Sequence, residues 1–407
     1  MSWGEIAQAR LSDIARCSRD SKGVTRFPFT TEHKAALGII RSWMEKAGLI
    51  THVDAAGTLI GRKEGPVGAP TFLIGSHQDS VRDGGRYDGI MGVALGCLAL
   101  EKLASEGTGL PFAVEVLAFA DEEGVRFPTA LLGPRALAGS FDPSVLSMTD
   151  GNGTSLCEAL ISFGCKPDQI EFLARDPKSI LGYLEIHIEQ GPVLETCDAA
   201  LGIVTGVCGI ERNTVVFTGD TGHAGTVPMN SRCDALVAAS EFVVAIHDAA
   251  EHASDVRATV GALSLHPNVV NAIPSKVELT LEIRALNDLV RQEFAQRSRV
   301  RGAEIAQRRR TQFSIKRTYE QPAVLCNDAL IELLENSAKT IFSAPPRLPS
   351  GATHDASAMA DLCPISMLFV RCKDGVSHKP AEFASDGDME AAIHAVADFL
   401  KCLPVSS

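Results

Sequence analysis

The chain has 407 residues, 45% apolar and 22% charged, a globular composition with length for roughly two or three domains. Plentiful apolar residues and the absence of charge blocks exclude disorder as the main state. The net charge is −12, from 38 Lys and Arg against 50 Asp and Glu. No nucleic-acid partner is expected, since such binding rests on neutralising phosphates, and no anionic membrane surface. The longest apolar run, Ile90–Leu100, is well short of the ~18 residues a membrane span needs and contains two glycines. Met1–Arg16 has no basic segment leading into an apolar one, so no secretory leader is expected. Eleven cysteines lie singly, without a CxxC, which reads as reduced, mostly buried thiols of a cytoplasmic protein.

Thr71–Ser76, Ala113–Ala120 and Gly182–Glu189 are short apolar or alternating runs that end in polar residues. Gly89–Leu103 is a Gly- and Ala-rich helical pattern between the first two. Short buried strands alternating with helices predict an α/β sheet, in which chemistry collects at the carboxyl ends of strands. The middle of the chain changes style. Thr214–Thr218 and Lys276–Arg284 alternate with period two, as in a sheet with one solvated face. Helical stretches at Asp234–Ala253 and Asp288–Arg309 accompany them. The arginines between Arg291 and Arg310, interspersed with Glu293 and Glu304, read as a solvated helix face or a subunit contact. A β-α-β-β-α-β order over about 110 residues fits a small α+β module. Beyond it, Asn327–Phe342 reads as a helix, Pro364–Val370 as a buried strand and Asp388–Leu403 as a closing helix.

Four polar clusters follow the strand-like runs. His77 and Asp79 lie two apart at a strand end, on one side of the chain; the carboxylate can accept the spare imidazole N–H and fix the ring for metal binding. Asp88 follows a glycine-rich turn and opens a helix, and its two oxygens can bridge two cations. In Asp121-Glu122-Glu123, adjacent buried carboxylates need a shared cation or proton. One as ligand and one as base resolves the conflict. His187 and His378 stand in the remaining two clusters. Three imidazoles with carboxylates suit zinc or a similar divalent ion better than calcium or magnesium.

The segments GSHQDSVRDGGRYDGIMGV (75–93), DEEGVRF (121–127), HIEQGPVLE (187–195), GHAGTVPM (222–229), NAIPSKVELTLEIR (271–284), SGATHDA (350–356) and DGVSHKPAEF (374–383) make the sequence resemble the dinuclear-metal amidohydrolases of the M20 peptidase clan. Within it, the chain is similar to the branch of N-carbamoyl-L-amino-acid hydrolases, allantoate amidohydrolases and β-ureidopropionases. The resemblance implies two divalent ions per subunit (zinc, or manganese, cobalt or nickel) held by His77, Asp88, Glu123, His187 and His378, with Asp88 bridging. It makes Glu122 the general base, Asp79 the orienting partner of His77 and His223 the oxyanion stabiliser. Gln190, Asn271 and Arg284 would bind a small ureido acid. It implies an α/β catalytic domain with a mixed, largely parallel sheet flanked by helices, over residues 1–211 and 325–407. An inserted ferredoxin-like α+β domain over 212–324 would serve as lid and homodimer interface.

Other readings stay open for several residues. Arg284 could pair with Glu278 or Glu282 instead of substrate. Arg212 fits a hinge salt bridge as well as a substrate contact, and His354 a structural role as well as a substrate-adjacent one. Thr353, Glu211 and Asn213 depart from the family's common pattern without touching the implied ligands. The substrate expected first is therefore an N-carbamoyl-L-amino acid, on the similarity of 322–328 and 363–378. Allantoate and 3-ureidopropionate are the alternatives. A dipeptidase or aminoacylase is disfavoured by the HIEQG and EEGVRF contexts, and a non-catalytic binding descendant by the complete ligand set.

Overall fold

Thr71–His77 and Ala113–Phe119 are buried at every position, as strands covered on both faces must be. In the computed structural model, which describes residues 1–20, 22–339, 341 and 345–404, they pair in parallel. Thr71–His77 also pairs in parallel with Ile180–Ile188, and that strand with Ile365–Val370. Antiparallel strands flank this centre, Leu59–Lys63 and Ile50–Val53 on one side and Leu201–Val207 on the other, and Arg347–Ser350 pairs with Leu201–Val207. Helix Ile90–Ser105 packs closely on the sheet because of its glycines. A Cβ at Gly92 would overlap the carbonyl of Ile186, and one at Gly96 would press on Ile74. Helices Trp3–Ile14, Thr31–Lys46 and Asp386–Cys402 complete this unit. It comprises Met1–Gly206 and the chain from Cys326 onward. The predicted helix Asn327–Phe342 is found as Asp328–Lys339; residues 340 and 342 lie outside those described.

Val207–Leu325 forms the second unit. Gly209–Thr218 pairs antiparallel with Lys276–Ala285 on one side and Gln312–Gln321 on the other. The sequence pattern shows only the second half of Gly209–Thr218, so the unit begins a few residues before 212. Val256–Thr259 and Leu263–His266 both line the far edge of Lys276–Ala285. Lys276–Ala285 alternates exposed and buried positions. Its inner residues Val277, Leu279, Leu281 and Ile283 meet Phe242 of helix Ala235–Glu251 and Phe294 of helix Asp288–Arg309. Asp234 and Asn287 cap these helices by accepting from the first free N–H groups. The strand order is that of a ferredoxin-like module. Among the described residues, no helix is long and apolar enough to cross a membrane.

Candidate active site

The register of the first unit's sheet gathers the polar clusters. His77 lies opposite Phe119, and Gly75 opposite Glu185. The two strand ends therefore place His77 and His187 side by side, and Asp121–Glu123 follows directly after the neighbouring strand. The Nε2 atoms of His77 and His187 are 3.4 Å apart. Each ring turns its other nitrogen to a backbone carbonyl: His77 Nδ1 to Asp79 at 3.0 Å and His187 Nδ1 to Ile188 at 2.8 Å. That pairing leaves both Nε2 lone pairs for an electrophile.

Asp88 divides its oxygens between two groups. Oδ1 lies 3.1 Å from His187 Nε2 and 3.5 Å from His77 Nε2. Oδ2 lies 3.1 Å from His378 Nε2, which is 3.9 Å from Glu123 Oε2. The donor atoms of His77, Asp88 and His187 all fall within 4.8 Å of one another, as do those of Asp88, Glu123 and His378. Among the described residues, buried Glu123 Oε1 has no hydrogen-bond partner. Two such donor sets, imidazole and carboxylate in each, fit a pair of borderline divalent cations sharing one carboxylate. Gly89 makes room for this arrangement: it has φ +65°, and a Cβ there would overlap the His77 ring.

The electrostatics match a site made for positive charge. Burial pushes the Asp88 carboxyl up, but His187, His378 and His77 more than offset it and hold it well below its ordinary value. Beside Asp88, His378 is raised to about 9. Burial and then the nearby Asp88 charge raise Glu123 to about 7. Burial raises Glu122 well above the carboxylate range, against the pull of His77. Glu122 Oε2 lies 3.9 Å from His77 Nε2.

Asp79 sits differently from the simplest reading of its spacing. Its carboxylate is 3.5 Å from His77 Nδ1, while its backbone carbonyl is nearer. The carboxylate oxygens also accept the N–H groups of Glu122 and Glu123, each at 3.2 Å. Asp79 thus ties the third cluster to the first. Gln190, in the left-handed region at φ +59°, donates to Asp88 Oδ2 at 3.0 Å and to Ser377 Oγ at 3.2 Å. His354 is buried beneath His187, ring centroids 4.5 Å apart, with Nε2 2.7 Å from Ser350 Oγ. In the same layer, Glu185 accepts from Ser76 Oγ and the Ala356 N–H.

Glu382 lies in the 374–383 segment, where the sequence pattern marks no role for it. It accepts the backbone N–H groups of Tyr87 and Asp88, both at 3.0 Å, and the Ser377 hydroxyl at 2.8 Å. Asp121, named with its cluster, and Asp355 carry no individual role in the sequence pattern. Both are fully buried, and among the described residues their carboxylate oxygens have no hydrogen-bond partner.

The second unit collects the remaining residues. A bridge pairs His223 with Ala272, and the Ala224 N–H donates to the Asn271 carbonyl, so His223 and Asn271 are neighbours. The exposed His223 ring accepts the Gly225 N–H at Nδ1, 3.1 Å away. Arg212 and Arg284 grip the two oxygens of Glu282, each through Nε at 2.7 Å. Arg212 also lies over the Tyr319 ring.

The model of peptidase family M20/M25/M40 matches residues 73–401. The chain is 40% identical, over 95% of each sequence, to an N-carbamoyl-L-amino acid amidohydrolase of Geobacillus stearothermophilus. It is 38% identical to an allantoate deiminase of Arabidopsis thaliana, over 97% of this chain and 81% of that one. The crystal structure of a hydantoinase/carbamoylase family amidase from Burkholderia multivorans superposes with a TM-score of 0.90 at 32% identity, covering 98% of this chain and 97% of that one.

Proposed function

The chain belongs to peptidase family M20/M25/M40, and from that premise we propose that it hydrolyses the ureido C–N bond of N-carbamoyl-L-amino acids, releasing amino acid, carbon dioxide and ammonia. The observation that carries this reading is Asp88, which offers one oxygen to His77 and His187 and the other toward His378 and Glu123. These five residues would hold two divalent ions. Such ions polarise a carbonyl and lower the pKa of a bound water from about 15.7 toward about 7.

Glu122 takes a proton from the attacking water and delivers it to the leaving nitrogen. Water adds its oxygen to the ureido carbon, the C–N bond breaks, and the resulting carbamic acid loses carbon dioxide. Burial and the fixed backbone of Glu122 suit a carboxyl that must accept a proton and return it. Asp79 holds that backbone, and the Asp79 carbonyl holds the His77 ring. His223 donates to the developing oxyanion. Arg284 receives the substrate carboxylate in its planar fork, with Glu282 aligning the guanidinium, and Asn271 and Gln190 bind the ureido group. We assign Arg212 to holding Glu282 and His354 to supporting the His187 ring. The second unit acts as lid and as homodimer contact. Eleven free thiols accord with a reducing cytoplasm.

Allantoate is the second substrate favoured, since it carries the same ureido-plus-carboxylate pattern and a plant deiminase acting on it aligns with 97% of the chain. The test is turnover of N-carbamoyl-L-amino acids, allantoate, 3-ureidopropionate and N-acyl amino acids. Each is measured after chelation and after restoring Zn²⁺, Mn²⁺ or Co²⁺. Metal-dependent turnover led by N-carbamoyl-L-amino acids is expected; turnover confined to N-acyl amino acids would refute the ureido assignment.

A further inference from the structure

We infer that Glu382 is a positioning residue that sets the second cation site by locking the loop of Asp88 to the loop of His378; the inference rests on the two-ion reading above. Three of its contacts meet at one buried carboxylate. Oε1 accepts the N–H groups of Tyr87 and Asp88. Oε2 accepts the hydroxyl of Ser377, the residue before His378. The same hydroxyl lies 3.4 Å from Asp88 Oδ2. One side chain thus fixes the backbone from which Asp88 projects and the residue from which His378 projects. These loops lie about three hundred residues apart in the chain and belong to different strands of the sheet.

The surroundings are shaped for that carboxylate. A Cβ at Gly85 would overlap it, so the glycine-rich turn before Asp88 closes over Glu382. The His378 backbone is in the left-handed region at φ +57°, a conformation a non-glycine residue keeps only where its surroundings over-determine it. The Ser377–Glu382 hydrogen bond, one residue away, is such a constraint. In the other donor set His77 and His187 project from adjacent hydrogen-bonded strands, so only its shared member Asp88 depends on this tie.

The role is geometric, so charge is dispensable and reach is not. In Glu382→Gln, the amide oxygen can still accept from Tyr87 and Asp88, and the amide N–H can donate to Ser377. Glu382→Asp keeps the charge but falls one methylene short. The experiment is equilibrium dialysis of the chelated full chain against Zn²⁺, with bound metal counted per chain. Circular dichroism and thermal melting confirm that each variant is folded. Two ions are expected for the unsubstituted chain and for Glu382→Gln. One ion, or a second bound at least tenfold more weakly, is expected for Glu382→Asp and Glu382→Ala. Two ions of unchanged affinity in folded Glu382→Asp and Glu382→Ala would overturn the inference, as would Glu382→Gln behaving like Glu382→Ala. Fewer than two ions on the unsubstituted chain would instead refute the two-ion reading. If Glu382→Ala does not fold, the Asp and Gln variants still decide.

Discussion

In the first unit, the side chains of His77, His187 and Asp88 are 2%, 1% and 6% exposed, and backbone carbonyls fix both rings. In the second unit, His223 is exposed, and Arg212, 51% exposed, is held by an ion pair with Glu282. Strand register sets the two histidines, and Glu382 sets the Asp88 loop, before any ligand arrives. The second group is set by contacts that contribute about 0–1 kcal/mol each at a surface. Substitutions in the first unit should therefore remove chemistry outright, and those in the second should grade it.

The largest effect is expected at the base. Glu122→Gln should lower kcat by about 10²–10⁴-fold while bound metal, measured by emission spectrometry, stays unchanged; full turnover would remove Glu122 from the mechanism. Next comes His223→Ala, with a loss of about 10²–10³-fold in kcat and undisturbed metal content. A variant of the exposed second unit that loses metal would dissolve the contrast between the units. Arg284→Ala should cost about 1.5–3 kcal/mol of substrate binding, read as roughly 10- to 100-fold in kcat/KM. Arg284→Lys should recover little of it, because a point charge does not replace a planar fork. The smallest change is expected from Glu282→Gln, which leaves Arg284 charged but less aligned. Its ion pairs are partly exposed, so KM should rise less than about fivefold; a larger rise would show that Glu282 itself meets the substrate.

The sequence discloses residues that project from recognisable strand ends and hides those that act through backbone. His77, Asp88, Glu123, His187 and His378 each follow an apolar run or a glycine turn, which marks them as candidates, while their division into ligands and base comes from the family resemblance. Glu382 works by accepting N–H groups from Tyr87 and Asp88, and no local pattern announces a partner so far along the chain. The spacing of His77 and Asp79 suggests a carboxylate–imidazole pair, and the carboxylate does lie 3.5 Å from the ring, but it also accepts the Glu122 and Glu123 amides, which no spacing announces. An α+β module was legible from the two alternating strands Thr214–Thr218 and Lys276–Arg284, and its ferredoxin-like order only from the resemblance. The half-exposed strand Ile50–Val53 was not, being too short to show a period. Helix Trp3–Ile14 opens on a capping box between Ser2 and Glu5, which stands in the sequence as Ser-x-x-Glu.

The arrangement around Asp88 is tested most directly by metal-edge X-ray absorption on the chelated chain reloaded with two equivalents of Zn²⁺. A metal–metal vector with mixed nitrogen and oxygen shells is predicted, lost in Asp88→Ala. A single isolated shell without that vector, or a spectrum unchanged by Asp88→Ala, would contradict the shared carboxylate on which the whole account rests.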